Sequence, residues 1–119
     1  MHLFNKVGIE VIYLAEITKI EFSSVVWKKC RKNEISESLA NQLIVKFDLD
    51  SIKFKYIRES QLLRKKAKGL IGKHWKLGLR TLDSIQLASA LTVKDQIELF
   101  LTSDKLLSEI SQIEGLVSK

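Results

Sequence analysis

Leu79-Arg80-Thr81-Leu82-Asp83-Ser84-Ile85-Gln86-Leu87-Ala88-Ser89-Ala90-Leu91 is the stretch around which the chain is organised. Thr81 has the chemistry of a helix N-cap. Asp83 falls in the first turn, where a carboxylate suits the positive end of the helix dipole. Ile85, Ala88 and Leu91 give the helix an apolar side, and the small Ser89 and Ala90 let it approach a sheet closely. An acid at the mouth of such a helix is positioned like a site residue. Taken alone, an ordinary helix start remains the stronger reading.

The segments on either side alternate strand with helix. Val11-Ile12-Tyr13-Leu14-Ala15 is a short apolar run that reads as a strand buried on both faces, as in a parallel sheet. Thr18-Lys19-Ile20-Glu21 has the form of a capping box, so a helix is expected there, with Phe22, Val25, Val26 and Cys30 facing inward. Ser36 caps a second helix carrying Leu39, Leu43 and Phe47 at four-residue spacing. Ile52-Lys53-Phe54-Lys55-Tyr56 alternates as a half-buried strand near a sheet edge. A third helix starts near Glu59, and Gly78 closes the segment at positive φ. After the Asp83 helix, Leu99-Phe100-Leu101 reads as a buried strand. Thr102-Ser103-Asp104 leads into a helix with Leu106, Leu107 and Ile110, and Gly115-Leu116-Val117 reads as a last edge strand. This alternation predicts an α/β fold with a mainly parallel sheet in a single domain over residues 1–119.

Composition narrows the class. With 119 residues, 45% hydrophobic and 29% charged, the chain suits one soluble domain with one core. No apolar run reaches the length of a membrane span, and the start resembles no signal peptide. A cytoplasmic home is expected, because the single cysteine, Cys30, forms no internal disulfide. One Cys and two His argue against structural zinc. The net charge of +6 favours contact with polyanions.

In α/β folds, sites gather at the carboxyl ends of strands. Glu21, Asp83 and Asp104 each stand at a helix start expected to reach that edge. Converging carboxylates suit a hard cation such as Mg²⁺ or Mn²⁺, which polarises a phosphodiester and lowers the pKa of bound water. Each acid also has a plain role: Glu21 in its capping box, Asp83 and Asp104 on helix dipoles.

Three stretches together resemble a known family. Ile17-Thr18-Lys19-Ile20-Glu21-Phe22, the Leu79–Leu91 segment, and Phe100-Leu101-Thr102-Ser103-Asp104-Lys105-Leu106-Leu107 are similar, in order and separation, to successive motifs of PIN domains. The nearest likeness is to VapC-type toxins of prokaryotic toxin–antitoxin pairs. The resemblance implies a three-layer α/β sandwich with a mainly parallel central sheet, and a cytoplasmic endoribonuclease using Mg²⁺ or Mn²⁺. Glu21, Asp83 and Asp104 match three of the family's catalytic metal-binding acids. Thr102 matches a hydroxyl that orients the last of them. RNA, an antitoxin protein and a second copy of the chain are the implied partners. The family opens with a strand ending in Asp-Thr-Ser, whereas no Asp precedes Glu10 here. The reading therefore expects a domain incomplete at its N-terminus, lacking the first central strand and one metal-binding acid. A mis-set start, a strand from a partner chain, or a non-catalytic binding and dimerisation module would each account for that departure.

Other residues have simpler readings. Arg80 is either a phosphate contact or a solvated loop arginine. The basic run from Arg64 to Lys76 could guide RNA, with a solvated helix face the stronger reading. Trp27 and Trp75 read as core or dimer-interface residues, His74 as a surface residue, and Cys30 as a small buried hydrophobe.

Overall fold

The computed structural model describes residues 3–5, 11–97, 99–102 and 104–118. Four strands, β1 (Leu3–Asn5), β2 (Ile12–Ala15), β3 (Lys55–Ile57) and β4 (Leu99–Leu101), form one sheet in the order β3-β2-β1-β4. Among the described residues, five α-helices accompany it: α1 (Thr18–Arg31), α2 (Glu37–Asp50), α3 (Gln61–Lys73), α4 (Thr81–Thr92) and α5 (Lys105–Ile113). The α/β class expected from the alternation is observed.

The sheet differs from the expected one in two respects. β2 and β3 pair in parallel, but β1 runs antiparallel to both β2 and β4, so the sheet is mixed rather than mainly parallel. Nor is its centre vacant, since β1 stands between β2 and β4, with Phe4 opposite Tyr13 on one side and Phe100 on the other. Unpaired backbone groups in the middle of a sheet are costly, and β1 satisfies both neighbours at once. The expected last strand reduces to a bridge from Phe100 to Ser118 beside β4.

The β3 strand begins later than the alternation suggested. Ser51–Lys53 close into a 3₁₀ turn, and Ile52 is 82% exposed. The strand does lie at an edge, as its lysines implied.

The core lies between the sheet and α3, α4 and α5. Leu63 and Leu70 of α3 meet Leu87, Ala88 and Ala90 of α4, with Phe100, Leu107 and Ile110. Beyond its first turn α4 is buried nearly all round, because small residues let its neighbours close in. A second contact joins α1 to α2, where Phe22 stacks on Phe47 with ring centroids 4.3 Å apart.

The helix ends follow their sequence signals unevenly. Ser36 Oγ accepts from Leu39 N–H at 3.0 Å, and Ser60 Oγ accepts from Leu63 N–H at 3.0 Å. Gly78 takes φ 77° in the turn before α4. Thr81, by contrast, is the first residue inside α4; Arg80 holds the N-cap position without a side-chain cap bond.

The surface reading of His74 is corrected, and so is the core reading of the tryptophans. His74 is 6% exposed, and its Nε2 donates to Oε2 of Glu114 at 2.7 Å. Lys73 Nζ meets the same oxygen at 2.6 Å, so the end of α3 is tied to the residue after α5. Burial alone would raise the Glu114 carboxyl, but hydrogen bonds and charge from Lys73 and His74 hold it below its ordinary value. Trp75 is 68% exposed and belongs to no core; Trp27 is 39% exposed. The basic side chains of α3 are exposed, as expected of a solvated face.

Candidate active site

α1 starts directly after β2 with Ile17 already in the right-handed helical region. Thr18 therefore lies inside the helix, and the expected capping box does not form. The Thr18 side chain is fully buried, and its Oγ1 accepts from Gln86 Nε2 at 3.1 Å. Glu21 sits one turn further along the same face of α1. Its Oε1 accepts from the same amide nitrogen at 3.4 Å.

On α4 the partners repeat that spacing. Asp83 and Gln86 are three residues apart on one side of α4, and Gln86 reaches across to α1. Gln86 is fully buried while Asp83 is half-buried near the helix start. The uncharged members, Thr18 and Gln86, are buried, whereas the acids are half-buried and line the cleft.

Asp104 comes from a third segment. It caps α5, its Oδ1 accepting from Leu107 N–H at 3.1 Å. Thr102 Oγ1 accepts from the Asp104 backbone N–H at 3.1 Å. Thr102 thus braces the backbone from which the carboxylate projects.

These elements enclose a cleft of about 690 Å³, lined by Glu21, Ile71, Leu79, Arg80, Thr81, Leu82, Asp83 and Asp104. The three acids singled out from sequence, which stand far apart along the chain, border one cavity. Arg80, exposed at the start of α4, lines it as well. No protein-family model matches the chain, and none of the curated proteins compared with it is significantly similar.

The donor set suits a hard divalent cation, since all three candidates are carboxylates and, among the described residues, no His or Cys lines the cleft. Among the described residues, however, no three or more His, Cys, Asp or Glu side chains form a group that could hold a metal ion. The acids share walls without forming a preassembled cage. Mg²⁺ commonly binds through one or two carboxylates while retaining several waters, so a shared wall is compatible with it.

Gln86 escaped the sequence reading. The signal was present: a lone amide among Ile85, Leu87 and Ala88, one turn after the central acid. Its Oε1 is buried without a hydrogen-bond partner in the structure. Thr18 was noticed, but as a cap rather than as the partner of α4.

Proposed function

We propose that the chain is a PIN-like protein of VapC type, a metal-dependent endoribonuclease built on a three-layer α/β sandwich. The observation that carries this reading is the meeting of Glu21, Asp83 and Asp104 on one cleft. Their order and wording resemble the family's motifs, and a basic chain of net charge +6 suits a polyanionic substrate.

Glu21, Asp83 and Asp104 would hold Mg²⁺ or Mn²⁺. When bound, such an ion lowers the pKa of a coordinated water and stabilises charge on a phosphodiester. Arg80 would contact a backbone phosphate at the cleft mouth. Leu79, Leu82 and Ile71 supply apolar wall beside the acids. The same reading takes an antitoxin protein and a second copy of the chain as partners, and the prokaryotic cytoplasm as the setting.

The test is RNA cleavage with Mn²⁺ by the wild-type chain and by Asp83→Asn. Metal-dependent cutting that the substitution abolishes supports the nuclease. A folded wild-type chain that leaves RNA intact favours the second reading, a non-catalytic binding or dimerisation module. That alternative draws on the open spacing of the acids and on the commitment of one Asp104 oxygen to the α5 cap.

A further inference from the structure

We propose that Gln86 is the positioning residue for Glu21, and that its buried amide sets how firmly the cleft holds a divalent cation. The inference rests on the reading of the cleft as a metal site and adds a residue to it.

The geometry is specific. Gln86 Nε2 donates to Glu21 Oε1 at 3.4 Å and to Thr18 Oγ1 at 3.1 Å, from a side chain with no exposed surface. A carboxylate only accepts, so the amide nitrogen must face Glu21; the flipped amide would set oxygen against oxygen. Thr18 accepts from the same nitrogen and helps hold the amide in that orientation. One oxygen of Glu21 is thereby tethered to α4, the helix that also carries Asp83.

The arrangement carries a cost. With the nitrogen turned toward Glu21, Gln86 Oε1 is left buried and unpartnered. Leucine or methionine would fill comparable space without that penalty. A buried acceptor left unsatisfied points to a gain elsewhere, and the amide's contact with a cleft acid supplies one. Hydrogen bonds behind a ligating carboxylate fix its direction and commonly govern metal affinity.

The test is a double-mutant cycle read by Mn²⁺ binding, followed through the paramagnetic signal of free Mn²⁺, on wild type, Gln86→Met, Glu21→Gln and the double variant. Gln86→Met is expected to weaken Mn²⁺ binding by roughly tenfold or more. In the Glu21→Gln background the same substitution should change binding by less than about twofold, because the residue through which it acts is gone. Thermal melts run alongside. Should Gln86→Met fail to fold, Gln86→Asn, whose amide falls short of Glu21, takes its place in the cycle. Unchanged Mn²⁺ binding in a folded variant, or an equal loss in both backgrounds, would overturn the proposal and leave Gln86 a tie between helices. A wild-type chain that binds no Mn²⁺ sinks the metal-site reading itself, an outcome separable from the other two.

Discussion

His74 Nε2 lies 2.7 Å from Oε2 of Glu114, joining the end of α3 to the residue after α5. Lys73 shares that oxygen, and the carboxyl is held below its ordinary value of 4.5. A carboxylate whose value falls on folding stabilises the fold above its unfolded value, and the contribution fades as pH drops through the folded one. Melting temperature should therefore decline from about pH 4.5 downward, and more gently in Glu114→Gln. At neutral pH that substitution should cost about 1–3 kcal/mol, as expected when a partly buried charge-assisted hydrogen bond is lost. Thermal melts across pH on both proteins check it; parallel profiles would count against the clamp.

Arg80 offers a test of the cleft's electrostatics. It is exposed and makes no side-chain cap bond, so its removal should leave the fold within about 0.5 kcal/mol. Under the nuclease reading, Arg80→Ala should weaken RNA binding and lower the slope of log affinity against log salt by about 1. Filter binding with Asp83→Asn as the inactive background measures it. An unchanged slope would return Arg80 to the solvent.

The helix caps separate two kinds of sequence signal. Ser36→Ala and Ser60→Ala each remove an observed cap bond and should cost roughly 1 kcal/mol. Thr81→Ala removes a hydroxyl that caps nothing, so urea unfolding should show a much smaller loss. Equal losses at all three positions would mean that Thr81 caps α4 after all.

Glycines should respond with opposite signs. Gly69 lies within α3 with open space where a Cβ would point, so Gly69→Ala should stabilise by roughly 0.5–1 kcal/mol. Gly115 holds φ +90°, and an added Cβ there would stand 2.5 Å from Lys94 Nζ. The lysine can swing away but the backbone cannot, so Gly115→Ala should destabilise by about 1–3 kcal/mol. Denaturant midpoints for the two variants decide the matter.

Much of this architecture was legible from local pattern. The runs at Ile12–Ala15 and Leu99–Leu101 are strands, and the Asp83 helix is the buried one, because short apolar runs and small residues have few other uses. The errors share a cause in long-range contact. Thr18 carries the wording of a cap but is claimed by Gln86, from a helix far along the chain. His74 follows a basic run, yet Glu114 draws it inside. The antiparallel seating of β1 depends on which neighbours lack partners, which no window of sequence contains. The acids of the cleft could be named from their places at helix starts, but the amide behind them could not, since polar residues in apolar helices have many explanations.

Because the cleft draws on positions 21, 83 and 104, its acidic wall cannot exist on a partly synthesised chain. Glu21 leaves the ribosome without the amide that tethers it, and Asp83 waits for Asp104. Whatever chemistry this wall performs must wait until position 104 has been made and folded against the earlier two.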